Sequence, residues 1–163
     1  MTTPILALRD HLERLRELLV TIPGDSYHVS QAKQSGSVGA HVRHCLDHAH
    51  ALLSCSPGGE LTYDSRLRGT AVETDVRAAL GEIKRLHLAL SDLDPVCLDQ
   101  PLTLRSMMRR NGESVFVKTT LGRELAFVVQ HTIHHCAIIG LLLDQVGVAV
   151  PRQFGYAPST PVN

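Results

Sequence analysis

The chain of 163 residues is long enough to bury a hydrophobic core of its own, and 44% of its residues are hydrophobic. Its 16 lysines and arginines balance its 16 aspartates and glutamates, so the chain lacks the basic excess that attracts nucleic acid or an anionic membrane. We therefore interpret residues 1–163 as a single domain and expect neither nucleic acid nor a membrane as a partner.

The N-terminus and the cysteines indicate the compartment. The apolar run that a secretion signal would need is interrupted by charged residues, namely Arg9, Asp10, Glu13 and Arg14. The four cysteines show no CxxC spacing and stand at Cys45, Cys55, Cys97 and Cys136. We therefore expect a cytoplasmic protein with free thiols, because disulfides are rare in that compartment.

The first predicted helix is amphipathic. Thr3 is suited to cap it, Pro4 is suited to its first position, and Pro23 followed by Gly24 ends it. Apolar residues recur at steps of three and four, which is typical of one buried helix face, at Ile5, Leu8, Leu12, Leu15, Leu19 and Ile22.

The second predicted helix, over residues 37–50, is rich in histidine, and Ser37 is placed to cap it. At about 100° per residue, His41, His44 and His48 share one face of this helix, whereas His50 points roughly the other way. A loop over residues 61–69 follows, dense in hydrogen-bonding side chains.

The third helix is predicted from about Thr74 to Leu93, and Asp94 followed by Pro95 ends it. His87 borders its apolar stripe without a partner at helical spacing, so we interpret it as a rim histidine. After this helix, two strand-like runs flank Asn111 and Gly112, which predicts a short β-hairpin.

The last predicted helix, over residues 121–146, is apolar on nearly all sides, which is typical of the buried helix of a domain. Thr119 or Thr120 caps it, and His131 and His135 stack on one face, one turn apart. The sequence thus predicts an all-α fold, a four-helix bundle with a small β-hairpin inserted between the third and fourth helices.

Two helices that each carry stacked imidazoles can meet inside a bundle and build a metal site. Three imidazoles leave a divalent ion with open coordination positions, as in catalytic sites, and zinc, nickel, cobalt, iron and manganese all accept such ligands. Di-iron chemistry is set aside because the chain has no Glu-x-x-His pair. Cys45 and Cys136 adjoin histidines but point away from the imidazole face, which favours core packing over nucleophilic catalysis.

These residues carry a family resemblance. Ser37-Val-Gly-Ala-His-Val-Arg-His44-Cys-Leu-Asp, followed far downstream by His131-Thr-Ile-His-His135, resembles the motifs of the DinB-like family of four-helix-bundle metalloproteins. The resemblance covers most of the chain in element order. It implies a divalent metal ion, most often zinc or nickel, bound by one histidine of the second helix and the outer two of the last-helix motif.

Carried over to this chain, the resemblance implies His44, His131 and His135 as the ligands. The histidines beyond this set are candidates to support a ligand or to replace one, and they are His41, His48 and His134. The implied activities are transfer of low-molecular-weight thiols such as bacillithiol or mycothiol, thiol-dependent isomerisation and hydrolase-like chemistry. The sequence leaves open whether the chain forms a homodimer.

The leading hypothesis is a metal-dependent enzyme, a thiol transferase or a hydrolase, that acts on a small molecule. The alternative is a non-catalytic metal-binding or stress-response protein whose metal stabilises the fold. A pocket over the metal reached by Arg66 or Arg68 would favour the enzyme, because guanidinium groups bind carboxylates and phosphates. A fourth protein ligand, most simply His48, would favour the structural role. The two arginines would otherwise pair with loop carboxylates, at Asp64, Glu73 or Asp75.

Overall fold

The computed structural model describes residues 3–30, 36–65, 68–110 and 112–161. Four long helices and one short helix account for most of the described chain. They are α1 (Pro4–Thr21), α2 (Val38–Leu53), the short α3 (Ala71–Thr74), α4 (Val76–Ser91) and α5 (Leu121–Asp144). Three strands form a small sheet, namely β1 (Glu60–Leu61), β2 (Pro101–Met107) and β3 (Ser114–Thr120).

Side-chain caps fix where the long helices begin. The hydroxyl of Thr3 accepts a hydrogen bond from the backbone N–H of Leu6, and Ser37 caps α2 in the same way. Of the two candidate caps for the last helix, Thr120 is the one whose hydroxyl accepts from the helix. Asp75 caps α4 and has an extended backbone, which separates α3 from α4. The helix predicted from about Thr74 therefore begins at Val76.

The four long helices enclose the hydrophobic core. Helix α1 packs against α4 and α5, and α2 packs against the same two helices. All six positions of the stripe predicted for the first helix are buried, from Ile5 to Ile22. The buried positions of α1 could be predicted because the apolar residues that face a core repeat with the period of the helix.

Helix α5 is the most apolar element. Of the described residues, only this helix is long and apolar enough to span a membrane by length and composition. Eleven of its side chains are buried within the domain, where it packs against α1 and α2. Its apolar character is that of the central helix of a protein core.

The small sheet contains the predicted hairpin and one further strand. Strands β2 and β3 pair antiparallel on either side of Gly112, with Leu104 opposite Val117, and Asn111 lies outside the described residues. Strand β1 pairs parallel with β2 at Leu61 and Leu104, within the segment predicted as a loop. The described chain is therefore mostly helical, as predicted, with a small three-stranded sheet in place of a hairpin alone. Strand β1 was not predicted, because its two residues are too few to show a strand period.

The segment between β1 and α4 is held against the start of α2. The hydroxyl of Tyr27 donates to the backbone oxygen of Val72 over 2.7 Å. The buried guanidinium of Arg43 pairs with Asp47 at 2.7 Å and with Glu73 at 2.9 Å. This close packing needs a glycine at position 39, because a Cβ at Gly39 would overlap the backbone oxygen of Glu73 and lie 2.6 Å from the Tyr27 ring.

Two glycine substitutions test this contact. Gly39→Ala is expected to lower the free energy of unfolding by about 1–3 kcal/mol, the usual cost of forcing an extra methyl group into a packed contact. Gly81→Ala is the control, since Gly81 is an exposed residue of α4 where an added Cβ would meet no atom within 4 Å. The control is expected to raise stability by up to about 1 kcal/mol through helix propensity. Urea denaturation measures both, and a Gly39→Ala protein as stable as wild type would contradict the contact.

Candidate metal centre

Five histidines come together where α2 faces α5. His41, His44 and His48 follow one face of α2, while His131 and His135 follow one face of α5, as their spacing predicted. The rings of His44 and His131 have centroids 4.8 Å apart, and the ring of His135 lies 4.5 Å from each of them. The two clusters seen in the sequence are thus one cluster in space.

Three of these imidazoles direct ligand nitrogens toward one another. The Nε2 atoms of His44 and His131 are 2.8 Å apart. With a nitrogen of His48, all three candidate ligand atoms lie within 4.8 Å of one another. Nitrogens on three separate rings at this spacing can bind a single divalent ion.

The hydrogen bond of His48 assigns its protonated nitrogen. Its Nδ1 lies 2.9 Å from the backbone oxygen of His44. A carbonyl oxygen only accepts, so Nδ1 carries the hydrogen and the Nε2 of the neutral ring keeps its lone pair. Histidines that bind metals are commonly oriented by such a bond from their other nitrogen.

His135 is held by His41 in a similar way. Their Nδ1 atoms are 2.9 Å apart, so one ring donates to the other. Burial, followed by the neighbouring imidazoles His131 and His41, lowers the pKa of His135 to about 3. His135 is therefore neutral at physiological pH, which is the state that binds a metal.

The predicted ligand set and the observed grouping differ in one member. His44 and His131 belong to both, but the third nitrogen within the close group is that of His48, whereas His135 contacts His41. His134 is exposed, with its ring centroid 5.2 Å from that of His135. His135 nonetheless borders the group, because its ring lies as close to His44 as the other rings do.

The remaining histidines that were considered lie elsewhere. His50 is exposed on the opposite side of α2, and its Nδ1 is 3.2 Å from a carboxylate oxygen of Glu82. His87 is half-buried on α4, and burial lowers its pKa. Neither belongs to the histidine cluster, in agreement with the interpretation of both from helical spacing.

The two arginines considered for substrate binding stay a prediction. Arg66 lies outside the described residues, and Arg68 is exposed. The loop carboxylates suggested as their partners bind other groups. Asp64 accepts from the backbone N–H of Met107, and Glu73 pairs with Arg43.

Three residues that the motifs did not include support the cluster. The ring of Tyr63 stacks on His48, with centroids 4.7 Å apart and planes 9° apart. The ring of Phe127 lies 5.5 Å from that of His131, and Glu124, fully buried, accepts a hydrogen bond from the hydroxyl of Tyr63. The feature of the sequence that could have indicated these contacts is the charged residue Glu124 near the start of the apolar helix α5.

The donor set fits a divalent metal ion. The group consists of imidazoles, and no carboxylate belongs to it among the residues the structure describes. Imidazole suits zinc, nickel, copper and iron, whereas magnesium and calcium favour oxygen ligands. The neutral ring of His135 and the Nδ1–H of His48 both match what such an ion requires.

The fold and this site define a mostly helical protein with a histidine cluster between two of its long helices. The model of the DinB superfamily matches residues 7–139, and the chain belongs to that superfamily. Membership was predicted from the motifs around His44 and His131 and is confirmed.

Two known proteins resemble the chain. The crystal structure of a DinB-like protein from Bacillus subtilis superposes with a TM-score of 0.66 over 94% of this chain and 99% of that one. The sequences are 19% identical, so this likeness is one of fold. A Rhizopus delemar protein named FK506-binding protein 5 is 34% identical over 101 residues, which is 61% of this chain and 26% of that protein. The chain therefore matches about a quarter of a longer relative.

The four cysteines allow a test of the packing beside the histidines. All are free, as predicted, and Cys45 and Cys136 are buried. Burial raises the pKa of both thiols, that of Cys136 to about 12. Because the thiolate is the reactive form, we expect iodoacetamide at about pH 8 to label half-buried Cys55 and Cys97 first.

Mass spectrometry of the peptides gives the result. In denaturant all four thiols should react, which serves as the control for intrinsic reactivity. Labelling of native Cys136 as fast as Cys97 would show that the region next to His135 is open and would contradict the structure.

Proposed function

We propose that the protein is a four-helix bundle of the DinB superfamily that binds a divalent metal ion at its histidine cluster and uses it as an enzyme on a small molecule. One observation carries the proposal, namely that ligand nitrogens of His44, His48 and His131 lie within 4.8 Å of one another on two packed helices. Burying several imidazoles together is costly unless their nitrogens are satisfied, and an ion satisfies them jointly.

The ligands proposed are His44, His131 and His135, with His48 as a further ligand or a replacement for one of them. The first three follow the family resemblance, and His48 is supported by its place in the close group. Zinc or nickel is the proposed metal, with iron, manganese and cobalt as alternatives.

The partial exposure of three histidine side chains supports a catalytic role. His44, His131 and His135 are half-buried, so a small molecule can reach the rings from solvent, whereas His48 is buried. When bound by three imidazoles, the metal supplies a Lewis acid and a means of holding a thiol as thiolate. The chain itself supplies the imidazoles, and His41 orients the neutral ring of His135 over 2.9 Å.

The proposed reaction is thiol transfer or hydrolase-like chemistry, with a low-molecular-weight thiol as one substrate, in the cytoplasm. The neutral charge of the chain supports a small-molecule partner over nucleic acid or a membrane. Assembly as a homodimer is compatible with this role.

A second candidate function is a structural metal site. The observation that favours it is the inclusion of buried His48 in the close group, since a fourth imidazole would close the coordination sphere. The protein would then act as a non-catalytic metal-binding or stress-response protein.

Metal content and stability test the proposed site. The purified protein is expected to hold one divalent ion per chain by elemental analysis, and His44→Ala and His131→Ala are expected to lose it. His50→Ala is the matched control, because His50 lies on the same helix but outside the cluster. A His131→Ala protein that is folded and still holds the ion at wild-type affinity would contradict the site.

Chelation separates the two roles. A ligand that binds only the folded state adds about 4 kcal/mol at a thousandfold excess over its dissociation constant. Because the four helices already bury a large core, chelator should lower the melting temperature and leave the protein folded at room temperature. Circular dichroism measures the helix content after chelator is added. Complete loss of helix content at room temperature would favour the structural candidate.

Substrate charge is tested through the loop arginines. If Arg66 or Arg68 binds an anionic group of the substrate, Arg→Lys at that position keeps the charge but loses the bidentate geometry. We expect Arg66→Lys or Arg68→Lys to raise KM in a thiol-conjugation assay, with melting temperature and metal content unchanged. Arg85→Lys is a control at an exposed arginine of α4. If both loop variants lose metal and stability together, the arginines are structural.

A further inference from the structure

Glu124 is a buried carboxylate at the edge of the histidine cluster. It lies in the first turn of α5, two helical turns before His131, and is 0% exposed. Its oxygens accept hydrogen bonds from the hydroxyl of Tyr63 at 3.0 Å and the hydroxyl of Thr119 at 2.8 Å. The guanidinium of Arg123 is 2.9 Å from the same carboxylate.

Two of these partners lead to rings that cover the histidines. The ring of Tyr63 stacks on His48 with centroids 4.7 Å apart. The guanidinium of Arg123 lies 5.6 Å from the centroid of Phe127, whose ring is 5.5 Å from that of His131. The rings of Tyr63 and Phe127 also contact each other, at 5.4 Å.

Glu124 therefore joins two aromatic rings that each lie on a different imidazole. A charge at 0% exposure is costly to bury, and apolar packing alone would be served better by an apolar side chain at this position. What a carboxylate adds is a fixed acceptor that sets the position of Tyr63 and Arg123 together. The rings of His48 and His131 are then restricted in the planes they can adopt.

We propose that Glu124 is a positioning residue for the metal site and that it acts through Tyr63 on His48 and through Arg123 and Phe127 on His131. This inference rests on the proposed function, because it concerns the same ion. Groups that orient metal-bound histidines typically change metal affinity by about 10- to 100-fold when they are altered. The effect here comes from pre-ordering the two rings before the ion binds, so that less rotational freedom is lost on binding.

Two variants and two matched controls test the proposal. Glu124→Gln removes the charge, and Tyr63→Phe keeps the ring but removes the hydroxyl that Glu124 holds. Glu82→Gln is the control for the first, since Glu82 is a buried glutamate that pairs with Arg85 on α4. Tyr27→Phe is the control for the second, since Tyr27 is a buried tyrosine that donates to the backbone of Val72.

The probe is Co²⁺, whose affinity is measured by competition with a chromophoric chelator and whose visible spectrum reports coordination. Glu124→Gln is expected to weaken affinity by about 10- to 100-fold, and Tyr63→Phe by about 10-fold, each with an altered spectrum. The controls should lose a similar amount of melting temperature but bind Co²⁺ as wild type does.

The outcomes are separable. Wild-type protein that binds no Co²⁺ would overturn the proposed function itself. Wild-type binding with unchanged affinity and spectrum in folded Glu124→Gln and Tyr63→Phe would overturn only the positioning role. Equal losses in the controls would also overturn it, because the effect would then be general destabilisation. If Glu124→Gln does not fold, Tyr63→Phe decides the question by the same criteria.

Discussion

The contact between α2 and α5 is the constraint on which the rest of the structure depends, because both helices present imidazoles to each other where a core would usually be apolar. The Nε2 atoms of His44 and His131 are 2.8 Å apart and the Nδ1 atoms of His41 and His135 are 2.9 Å apart, so one nitrogen of each ring faces a nitrogen of the other. A buried nitrogen left without a partner costs about 1–3 kcal/mol. Sliding either helix by one turn, about 5.4 Å, would separate both pairs together. The register of the two helices and the composition of the site are therefore one property of the fold.

The small sheet positions side chains that support the contact between α2 and α5. Tyr63 follows β1 by two residues, and Glu124 follows β3 by four, so the pairing of both strands with β2 brings the two side chains to the same end of the cluster. Thr119, within β3, adds a second hydroxyl to the same carboxylate. A two-residue strand contributes little stability by itself, but its pairing with β2 fixes the chain two residues before Tyr63. The hairpin is thus part of the support of the histidines and not only a connection between helices.

Whether the site is open or closed depends on how many imidazoles an ion takes. His48 is on the buried side of the cluster, beneath Tyr63, whereas His135 is on the partly exposed side with His41 and His134. With His135 as the third ligand, the site would lie toward its partly exposed side and would leave coordination positions for a substrate. With buried His48 as a fourth ligand, protein side chains would close the coordination sphere. The same five rings can support either arrangement, and the orientation of the His48 and His135 rings decides between them.

Much was determined by the sequence alone. The helical period placed all four long helices, the caps at Thr3 and Ser37, the buried stripe of α1 and the shared faces of the histidines, because each depends on neighbours three or four residues away. The DinB superfamily was identifiable for the same reason, since its motifs lie within single helices. Tertiary structure alone decided which imidazoles face each other, that His48 joins His44 and His131, and that Arg43 pairs with Glu73 of the loop. It also decided the roles of Tyr63 and Glu124, which are 61 residues apart. These features depend on the packing of distant segments, and no local period in the sequence records a distance across the core.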